Sequence, residues 1–351
     1  MTQLATIDEL PPEYLSALTD LDVAPLWPQL RALLPYGPPP RQANVAHWQY
    51  EKIRPLLLQA GEYTPIEKAE RRVLVMCNSG FPIENLQATA SIYIGLQLIL
   101  PGEEAPNHRH SPSALRMIVE GSGGFTSVSG EKLPMEPGDL VLTPSGLWHE
   151  HGHEGSDPVV WMDALDLPVI HYLESSYAEE APLQNAPDIP DASQTRYTRS
   201  GLLPYDELGA QAAYPMLRFP WKEVRNALID LSRARSSEEL VHLAYINPQT
   251  GEECLPILGC SAMMLRPGET AKLVRRTASA VIHVLEGNGE SLIDGETVAW
   301  DIHDITAIPT YADIEIRNGS TKNPAFLFMV DDAPLQRKLR FYREFKPGEE
   351  L

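Results

Sequence analysis

The chain has 351 residues, of which 43% are hydrophobic and 22% charged, a composition typical of a globular protein rather than a disordered or fibrous one. Single hydrophobic cores stop growing at roughly 250–300 residues, so we expect two domains or one fold used twice. The formal charge is −20, from 48 acidic and 28 basic residues. A field of that sign repels nucleic acids and anionic membranes and argues against both as partners.

The cysteines and the N-terminal residues bear on the cellular compartment. Cys77, Cys254 and Cys260 have no CxxC spacing and are odd in number, which favours free thiols over disulfides or a thiolate zinc site. The N-terminal sequence lacks the basic and apolar regions of a signal peptide, and no run of about 18 apolar residues is present. These features predict a cytoplasmic protein.

In chain order, a helical N-terminal region precedes β-rich sequence. Residues 7–60 show helical spacing broken by prolines and include a predicted helix over 45–60, in which Pro55 is a candidate kink. From residue 72, short apolar runs separated by turn residues are typical of an all-β sandwich or barrel. Residues 171–200 are acidic, Pro-rich and aperiodic, as in a linker. The segment WKEVRNALIDLSRA predicts a further helix before the β pattern resumes near residue 257.

The chain contains an internal repeat. The segment LILPGEEAPNHRHSPSALRMIVEGSG, starting at Leu98, aligns without a gap with MLRPGETAKLVRRTASAVIHVLEGNG, starting at Met264. Pro101-Gly102 matches Pro267-Gly268 at an offset of 166 residues. Self-similarity at one fixed offset indicates a duplicated structural unit. The sequence therefore predicts one β-domain used twice.

Three histidines of the first copy form a candidate metal site. His108 and His110 are alternate residues, which share one face of a strand about 6.5–7 Å apart and can reach one ion. His149 follows a Pro-x-Gly turn and offers a third imidazole from a neighbouring strand. The equivalent positions of the second copy hold Val274, Arg276 and Ile314. Joint loss is expected of ligands that act as a unit, so we predict a metal site in the first copy only.

These motifs carry a family resemblance. The residues that resemble the two cupin motifs are Gly102 through His110 to Gly121, then Gly138-Asp139, Pro144-x-Gly146 and His149. Ala114 and Leu115 stand where many cupins have a Glu ligand, which argues against an oxalate decarboxylase or oxidase type of site. The all-His site, the duplication, the helical extension and the phrase HRHSPSALRMIVEG resemble gentisate 1,2-dioxygenases and the related salicylate and 1-hydroxy-2-naphthoate dioxygenases.

The resemblance implies an all-β bicupin fold, that is, two double-stranded β-helix barrels behind a helical N-terminal extension. We expect the extension over residues 1–64 and a catalytic barrel with the metal site over 65–170. A linker and helical segment over 171–240 then precedes a degenerate, metal-free barrel over 241–351. The resemblance also implies a homo-oligomer, commonly a tetramer.

The implied activity is an Fe(II)-dependent ring-cleaving dioxygenase with one ion per chain, held by His108, His110 and His149. Its substrates would be O2 and a small aromatic 2-hydroxy-carboxylate. O2 would be inserted between the carboxyl- and hydroxyl-bearing ring carbons, so that gentisate gives maleylpyruvate. Three imidazoles also bind Mn(II) or Zn(II), and the choice of Fe(II) rests on the resemblance.

The strand SIYIGLQLIL predicts a wall of the substrate pocket. Tyr93, Gly95 and Gln97 lie on a polar or small face opposite a wholly apolar one, and we expect that face to line the cavity beside the metal. Gly95 would leave room for an aromatic ring. The resemblance places Gln97 in the substrate pocket with Tyr93 nearby.

Two arginines are candidates for the substrate carboxylate. Arg116 interrupts an apolar strand and by resemblance faces the carboxylate, which a guanidinium can bind in bidentate fashion. Arg72 is a second candidate, and a solvated Arg71–Arg72 pair is the alternative interpretation.

Two further residues have candidate roles in catalysis. The resemblance suggests that Asp163 recognises the hydroxyl para to the substrate's own ring hydroxyl. His151 shares the face of His149 if the strand continues, and is a candidate proton donor or partner to the site. We expect His153 to be exposed.

Several alternatives stay open from the sequence. A carboxylate at Asp163 suits the second hydroxyl of gentisate, whereas Gly95 would admit the bulkier ring of 1-hydroxy-2-naphthoate, and salicylate also fits. A non-catalytic bicupin binding protein is disfavoured because only one copy keeps the histidines. A cupin sugar-phosphate isomerase is disfavoured by the missing Glu ligand.

Overall fold

The computed structural model describes residues 4–181, 189–197, 202–346 and 348–349. The chain divides into two units: residues up to Arg41 together with those from Phe345 onward, and Gln42–Glu344. The first unit contains a 3-10 turn at Ile7–Glu9 and the helices α1 (Pro12–Thr19) and α2 (Leu30–Leu33). The backbone N–H of Thr6 donates to the Glu9 carboxylate (3.0 Å), which satisfies a donor left free at the start of that turn.

The second unit is built mainly from strands. Its helices within the described residues are α3 (Tyr50–Tyr63), α4 (Ile66–Ala69), α5 (Leu167–Tyr172), α6 (Ala192–Arg196), α7 (Trp221–Ala234) and α8 (Ala333–Lys338). Up to residue 165 the strands are β1 (Ala46–Trp48), β2 (Arg72–Val75), β3 (Tyr93–Ile99), β4 (Glu104–His110), β5 (Ala114–Glu120), β6 (Gly124–Val128), β7 (Glu131–Met135), β8 (Leu140–Thr143), β9 (His149–His153) and β10 (Val159–Leu165). Three short strands follow: β11 (Ala178–Glu180), β12 (Ile189–Pro190) and β13 (Arg218–Phe219). The rest are β14 (Val241–Ala244), β15 (Gly259–Leu265), β16 (Thr270–Leu273), β17 (Ala280–Glu286), β18 (Gly289–Ile293), β19 (Glu296–Trp300), β20 (Ile305–Ile308), β21 (Ile314–Asn318) and β22 (Ala325–Asp331).

These strands form two barrels, each made of two sheets. The sheets of the first barrel have the orders β13-β8-β5-β10-β3-β2 and β11-β4-β9-β6-β7-β12. Those of the second barrel have the orders β1-β20-β17-β22-β15-β14 and β16-β21-β18-β19. The expected all-β bicupin fold is confirmed.

The duplication is visible in both strands and contacts. Strand β15 lies 166 residues after β3, and β22 lies 166 residues after β10. At the same offset, the Ser113 N–H donates to Asp166 Oδ1 (2.8 Å), and the Ser279 N–H donates to Asp332 Oδ1 (2.9 Å). The loop before β5 in the first barrel and the loop before β17 in the second are therefore held by the same contact.

A large apolar cluster joins the two barrels. It includes Leu96 and Leu115 from the first barrel and Phe326 and Phe328 from the second, all fully buried. Burying one such side chain stabilises the fold by about 1.5–3 kcal/mol. Because residues alternate between the two faces of a strand, the opposite faces of β3, β5 and β10 are left to line the interior of the first barrel.

The predicted helix over residues 45–60 is wrong at its start. Ala46–Trp48 forms β1, which pairs with β20 of the second barrel. The helix begins only at Tyr50, whose backbone N–H donates to Asp304 Oδ1 (2.8 Å). This side-chain acceptor comes from a residue distant in sequence, so local spacing does not reveal it. Pro55 lies inside α3.

The segment expected to be a linker contributes strands to the first barrel. Within its described residues, β11 pairs antiparallel with β4, and Ala178 lies opposite His110. Further along the chain, β13 pairs with β8. None of the helices in the described part of the chain is long and apolar enough to cross a membrane.

Candidate metal centre and substrate cavity

Three histidines from two neighbouring strands converge in the first barrel. His108 and His110 lie on β4, and His149 lies on β9 directly opposite His108 in the strand register. All three are buried, and their candidate ligand atoms lie within 4.8 Å of one another. The alternation of residues along β4 thus brings both of its histidines to the third.

Backbone carbonyls fix the tautomer of each imidazole. The Nδ1 atoms of His108, His110 and His149 lie 2.7–2.9 Å from the carbonyl oxygens of Pro106, Pro112 and Leu147. A carbonyl only accepts, so each Nδ1 carries the proton and each Nε2 keeps its lone pair. Among the described residues, no group bonds Nε2 of His108 or of His149, although both atoms are buried. Orphaned imidazole nitrogens that face one another fit a bound metal ion.

The imidazoles are neutral at physiological pH. Burial, helped by the positive charge of Arg71, lowers the pKa of His108 to about 3 and that of His110 to about 4. Burial and the charge of Arg116 lower the pKa of His149 further. A neutral imidazole binds a metal without first losing a proton, so the cluster is ready to do so.

Arg116 lies at the centre of a buried hydrogen-bond network. Its Nη1 donates to Thr143 Oγ1, and its Nη2 donates to Nε2 of His151 (3.1 Å). Because arginine only donates, His151 must carry its proton on Nδ1, which donates to Thr126 Oγ1 (2.9 Å). Of the five guanidinium N–H groups, two take part in these bonds and a third lies on Nε, 3.3 Å from Asp163 Oδ1. Two remain for a ligand.

Asp163 is a buried carboxylate with one unsatisfied oxygen. It lies opposite Arg116 on one side and opposite Gly95 on the other. Its Oδ2 accepts from the indole N–H of Trp161 (3.1 Å). Its Oδ1 forms the ion pair with Arg116 but has no hydrogen bond from any described residue. Burial raises the pKa of this carboxyl, and Arg116 opposes that effect.

The polar or small face of β3 lies beside Asp163 on the neighbouring strand β10. Gln97 is buried opposite Trp161, and Tyr93 lies opposite Leu165. Gly95 was expected to leave open space for an aromatic ring, but the structure shows that this space is filled. A Cβ added at Gly95 would lie 2.5 Å from Val73 Cγ1 and 2.8 Å from the hydroxyl of Tyr93. Gly95 therefore makes room for the Tyr93 side chain in this structure.

Arg72 does not face the cavity, contrary to the expectation that it assists the carboxylate. It lies opposite Leu98 in the strand register, pairs with Glu103 and donates to the Gly61 carbonyl of α3 (3.4 Å). Its neighbour Arg71, which was not predicted as a site residue, is the one whose charge acts on His108 and Asp163. In the described part of the chain the Arg71 side chain forms no hydrogen bond or ion pair.

A cavity of about 330 Å³ opens beside His108. Arg71 and His108 line it together with Glu70, Pro106 and the residues of β11. His153 is buried, contrary to expectation, because its Nε2 donates to the Asp157 carbonyl (2.5 Å) and its Nδ1 accepts from the Gly155 N–H (2.9 Å). It therefore stabilises a turn.

Comparisons with known proteins agree with this geometry. Residues 95–165 match the cupin domain family. A gentisate 1,2-dioxygenase from Ralstonia sp. is 47% identical over 338 residues, which cover 96% of this chain and 95% of that protein. The chain belongs to the gentisate 1,2-dioxygenase family. It is thus an enzyme, a ring-cleaving dioxygenase, and the alternative of a non-catalytic binding protein is not supported.

Two other dioxygenases are similar along most of the chain. A 5-aminosalicylate 1,2-dioxygenase from Comamonas sp. is 36% identical, over 85% of this chain and 80% of that protein. A tryptophan-to-tyrosine mutant of salicylate 1,2-dioxygenase from Pseudoaminobacter salicylatoxidans, solved in complex with gentisate, matches with a TM-score of 0.91 at 28% identity. The match covers 99% of each chain.

The second barrel of this dioxygenase lacks the polar groups that surround the histidines in the first barrel. Ile282, Ile316 and Met329 occupy the positions of Arg116, His151 and Asp163. All three are buried in the apolar interior of that barrel. The second barrel therefore lacks both the metal ligands and the polar groups around them.

We expect Thr126→Val in the dioxygenase to weaken substrate binding while metal content stays normal. The substitution leaves the buried His151 N–H without an acceptor, which costs about 1–3 kcal/mol, and it loosens the hold of His151 on Arg116. Steady-state kinetics should show KM raised about tenfold. Thr126→Ser keeps the hydroxyl and should behave as wild type. An unchanged KM in Thr126→Val would contradict this account.

Proposed function

We propose that the protein is an Fe(II)-dependent gentisate 1,2-dioxygenase, which inserts O2 between the carboxyl- and hydroxyl-bearing ring carbons to give maleylpyruvate. The observation that carries the proposal is the meeting of three neutral imidazoles, two arginines and a buried carboxylate in one barrel. The 47% identical gentisate dioxygenase supports the same substrate.

The histidine cluster would hold one Fe(II) per chain. Three imidazole nitrogens on one side leave up to three positions for other ligands, a pattern suited to non-haem Fe(II) oxygen chemistry. Bound Fe(II) would supply the electron exchange between O2 and the electron-rich ring. A second ion is not expected, because Val274, Arg276 and Ile314 replace the ligands in the second barrel.

Arg71 and Arg116 would bind the substrate carboxylate. Arg71 contributes a guanidinium at the cavity wall, and Arg116 contributes the two N–H groups that its protein partners leave free. Charge-assisted hydrogen bonds of this kind stabilise a complex by about 1.5–3 kcal/mol each. These two arginines would supply the local attraction by which a chain of charge −20 binds an anion.

Asp163 would select gentisate over salicylate. Its Oδ1 is a buried acceptor without a hydrogen-bond donor among the described residues, and the second phenolic hydroxyl of gentisate would supply one. Salicylate lacks that hydroxyl. A ligand that leaves a buried polar group of the site unpaired binds less well than one that bonds it. The Tyr93 side chain fills the space above Gly95 and disfavours the larger ring of 1-hydroxy-2-naphthoate.

His151 and Gln97 would orient the site. The one N–H of neutral His151 is directed to Thr126, and its Nε2 receives the Arg116 N–H, so His151 holds Arg116 at the angle that the carboxylate needs. Gln97, buried next to Trp161 on the cavity face, offers an amide for the ring substituents.

The test is oxygen uptake by iron-loaded protein with gentisate, salicylate and 1-hydroxy-2-naphthoate in parallel. We expect kcat/KM to be highest for gentisate, and Asp163→Asn to reduce the preference for gentisate over salicylate at least tenfold, because the amide accepts less strongly. Uptake with none of the three substrates would overturn the proposal. A preference for salicylate that Asp163→Asn leaves unchanged would overturn the role of Asp163.

A further inference from the structure

The second barrel keeps a cavity at the position of the metal cavity. It measures about 280 Å³, and its lining includes Val274, Arg276 and Ile314, which replace the three histidines. Leu240 also lines this cavity. It directly precedes β14, as Arg71 directly precedes β2 in the first barrel, so Leu240 takes the position of Arg71. The duplication thus preserved the space and changed its lining.

The new lining is apolar and nearly neutral. The buried interior around the cavity consists of aliphatic side chains, methionines and one tryptophan. Arg276, the charged group among the replaced ligands, is compensated by Asp331, with Nη1 and Oδ2 2.9 Å apart. Glu344 also lines the cavity, and the one lysine there, Lys272, is exposed. Such walls favour an uncharged ligand over an anion.

One buried polar atom in this cavity lacks a partner. His242 lies opposite Met263, on the face of β14 that points into the barrel, and lines the cavity. Its Nε2 is buried without a hydrogen bond from the described residues. Burial and the charge of Arg276 lower the pKa of His242 to about 4, so the ring is neutral. Leaving such an atom unpaired costs about 1–3 kcal/mol, which a ligand hydroxyl would recover.

We propose that the second barrel binds a small uncharged aromatic hydroxyl compound, with the ring against the aliphatic walls and the hydroxyl on His242 Nε2. A hydroxyl both donates and accepts, so it satisfies His242 in either tautomer. Space is sufficient, since an apolar cavity of about 150 Å³ already accommodates benzene. The site involves no metal ligand and is independent of the proposed activity.

The experiment compares phenol with toluene on the full-length, metal-loaded protein by titration calorimetry and ligand-observed NMR. Phenol should bind with a Kd of about 1 mM or below. His242→Leu should weaken phenol about fivefold and toluene by less than twofold, because only phenol uses the hydrogen bond. His242→Gln keeps a polar group there and should retain most of the affinity for phenol.

Two further variants locate the site. Ala312→Leu narrows the cavity from a buried wall position and should remove binding of both compounds. His149→Ala, in the first barrel, should leave phenol binding intact. Phenol affinity that depends on His149 and not on Ala312 or His242 would overturn the proposal, as would absence of saturable binding, which would leave the cavity to water. If Ala312→Leu does not fold, the His242→Leu and His242→Gln pair decides.

Discussion

Replacing His149 with alanine is expected to remove most of the bound metal and to lower ring-cleaving activity by more than about 100-fold. Changes to residues that only support a ligand already cost about 10–100-fold in metal affinity or activity, so loss of a ligand should exceed that. His149 lies opposite His108 across the two strands, and its Nε2 is one of the orphaned nitrogens. Metal analysis of anaerobically purified protein, together with oxygen uptake, would measure both effects.

The matched control is His153→Gln, four residues along the same strand. His153 is buried as well, but its ring bonds the Asp157 carbonyl and the Gly155 N–H rather than facing the cluster. The variant should lose about 1–3 kcal/mol of unfolding free energy and keep its metal. Equal metal loss in the two variants, or full metal in His149→Ala, would show that the ligand set is misassigned.

The histidine cluster and the duplication could be predicted from the sequence because each depends on short-range rules. Alternate residues of a strand share a face, which places His108 beside His110 whatever the rest of the barrel does. Over the gap-free segment, the two copies can then be compared residue by residue from the offset of 166 alone. The structure shows the same offset between the Ser113–Asp166 and Ser279–Asp332 contacts. Only the place of His149 beside this pair depends on which strands are neighbours.

The arginines could not be assigned in this way. A shift of one residue in register sends every side chain of a strand to the other face, and the pair Arg71–Arg72 gives no local indication of which one points inward. The assignment depends on the pairing of β2 with β3, where Arg72 lies opposite Leu98 of the apolar face. That leaves Arg71 on the face of Gln97. Val73 lies opposite Gln97, and Arg71 is two residues before Val73, so once this register is known Arg71 is assigned to the cavity face.

Contacts that the strand and helix periodicity does not indicate explain the other errors. His153 was expected to be exposed, but a turn formed by later residues buries it. The start of α3 depends on Asp304, which lies about 250 residues away in the second barrel. Gly95 was expected to leave open space, but Val73 and Tyr93 fill it from the two neighbouring directions. The contacts with Asp304 and Val73 are tertiary, and spacing within a short window does not contain them. The turn at His153 and the Tyr93 side chain are local, but they depend on side-chain directions that spacing alone does not give.

The second large expected effect is on substrate binding, when Arg71 and Arg72 are replaced one at a time. Arg71→Met should lower kcat/KM for gentisate about 100-fold, mainly by raising KM, because the carboxylate is bound equally in the ground state and the transition state. About 2.7 kcal/mol corresponds to that factor and lies within the range for one or two charge-assisted hydrogen bonds. Metal content and unfolding free energy should stay close to wild type, since the Arg71 side chain forms no hydrogen bond or ion pair with the residues described.

Arg72→Met should give the opposite pattern. Arg72 is buried beneath α3, where it pairs with Glu103 and contacts the Gly61 carbonyl. Removing it leaves the Glu103 carboxylate, among the described residues, with only the Leu100 N–H (2.7 Å). This should cost about 3 kcal/mol of unfolding free energy, at the lower end for a broken buried pair because Glu103 is partly exposed. The KM for gentisate should change less than threefold. Denaturant unfolding and steady-state kinetics on both variants separate the two residues, and a raised KM in Arg72→Met with normal stability would mean that β2 has the other register in solution. Because one residue of shift would exchange the environments of Arg71 and Arg72, this pair of variants tests the register and the carboxylate site together.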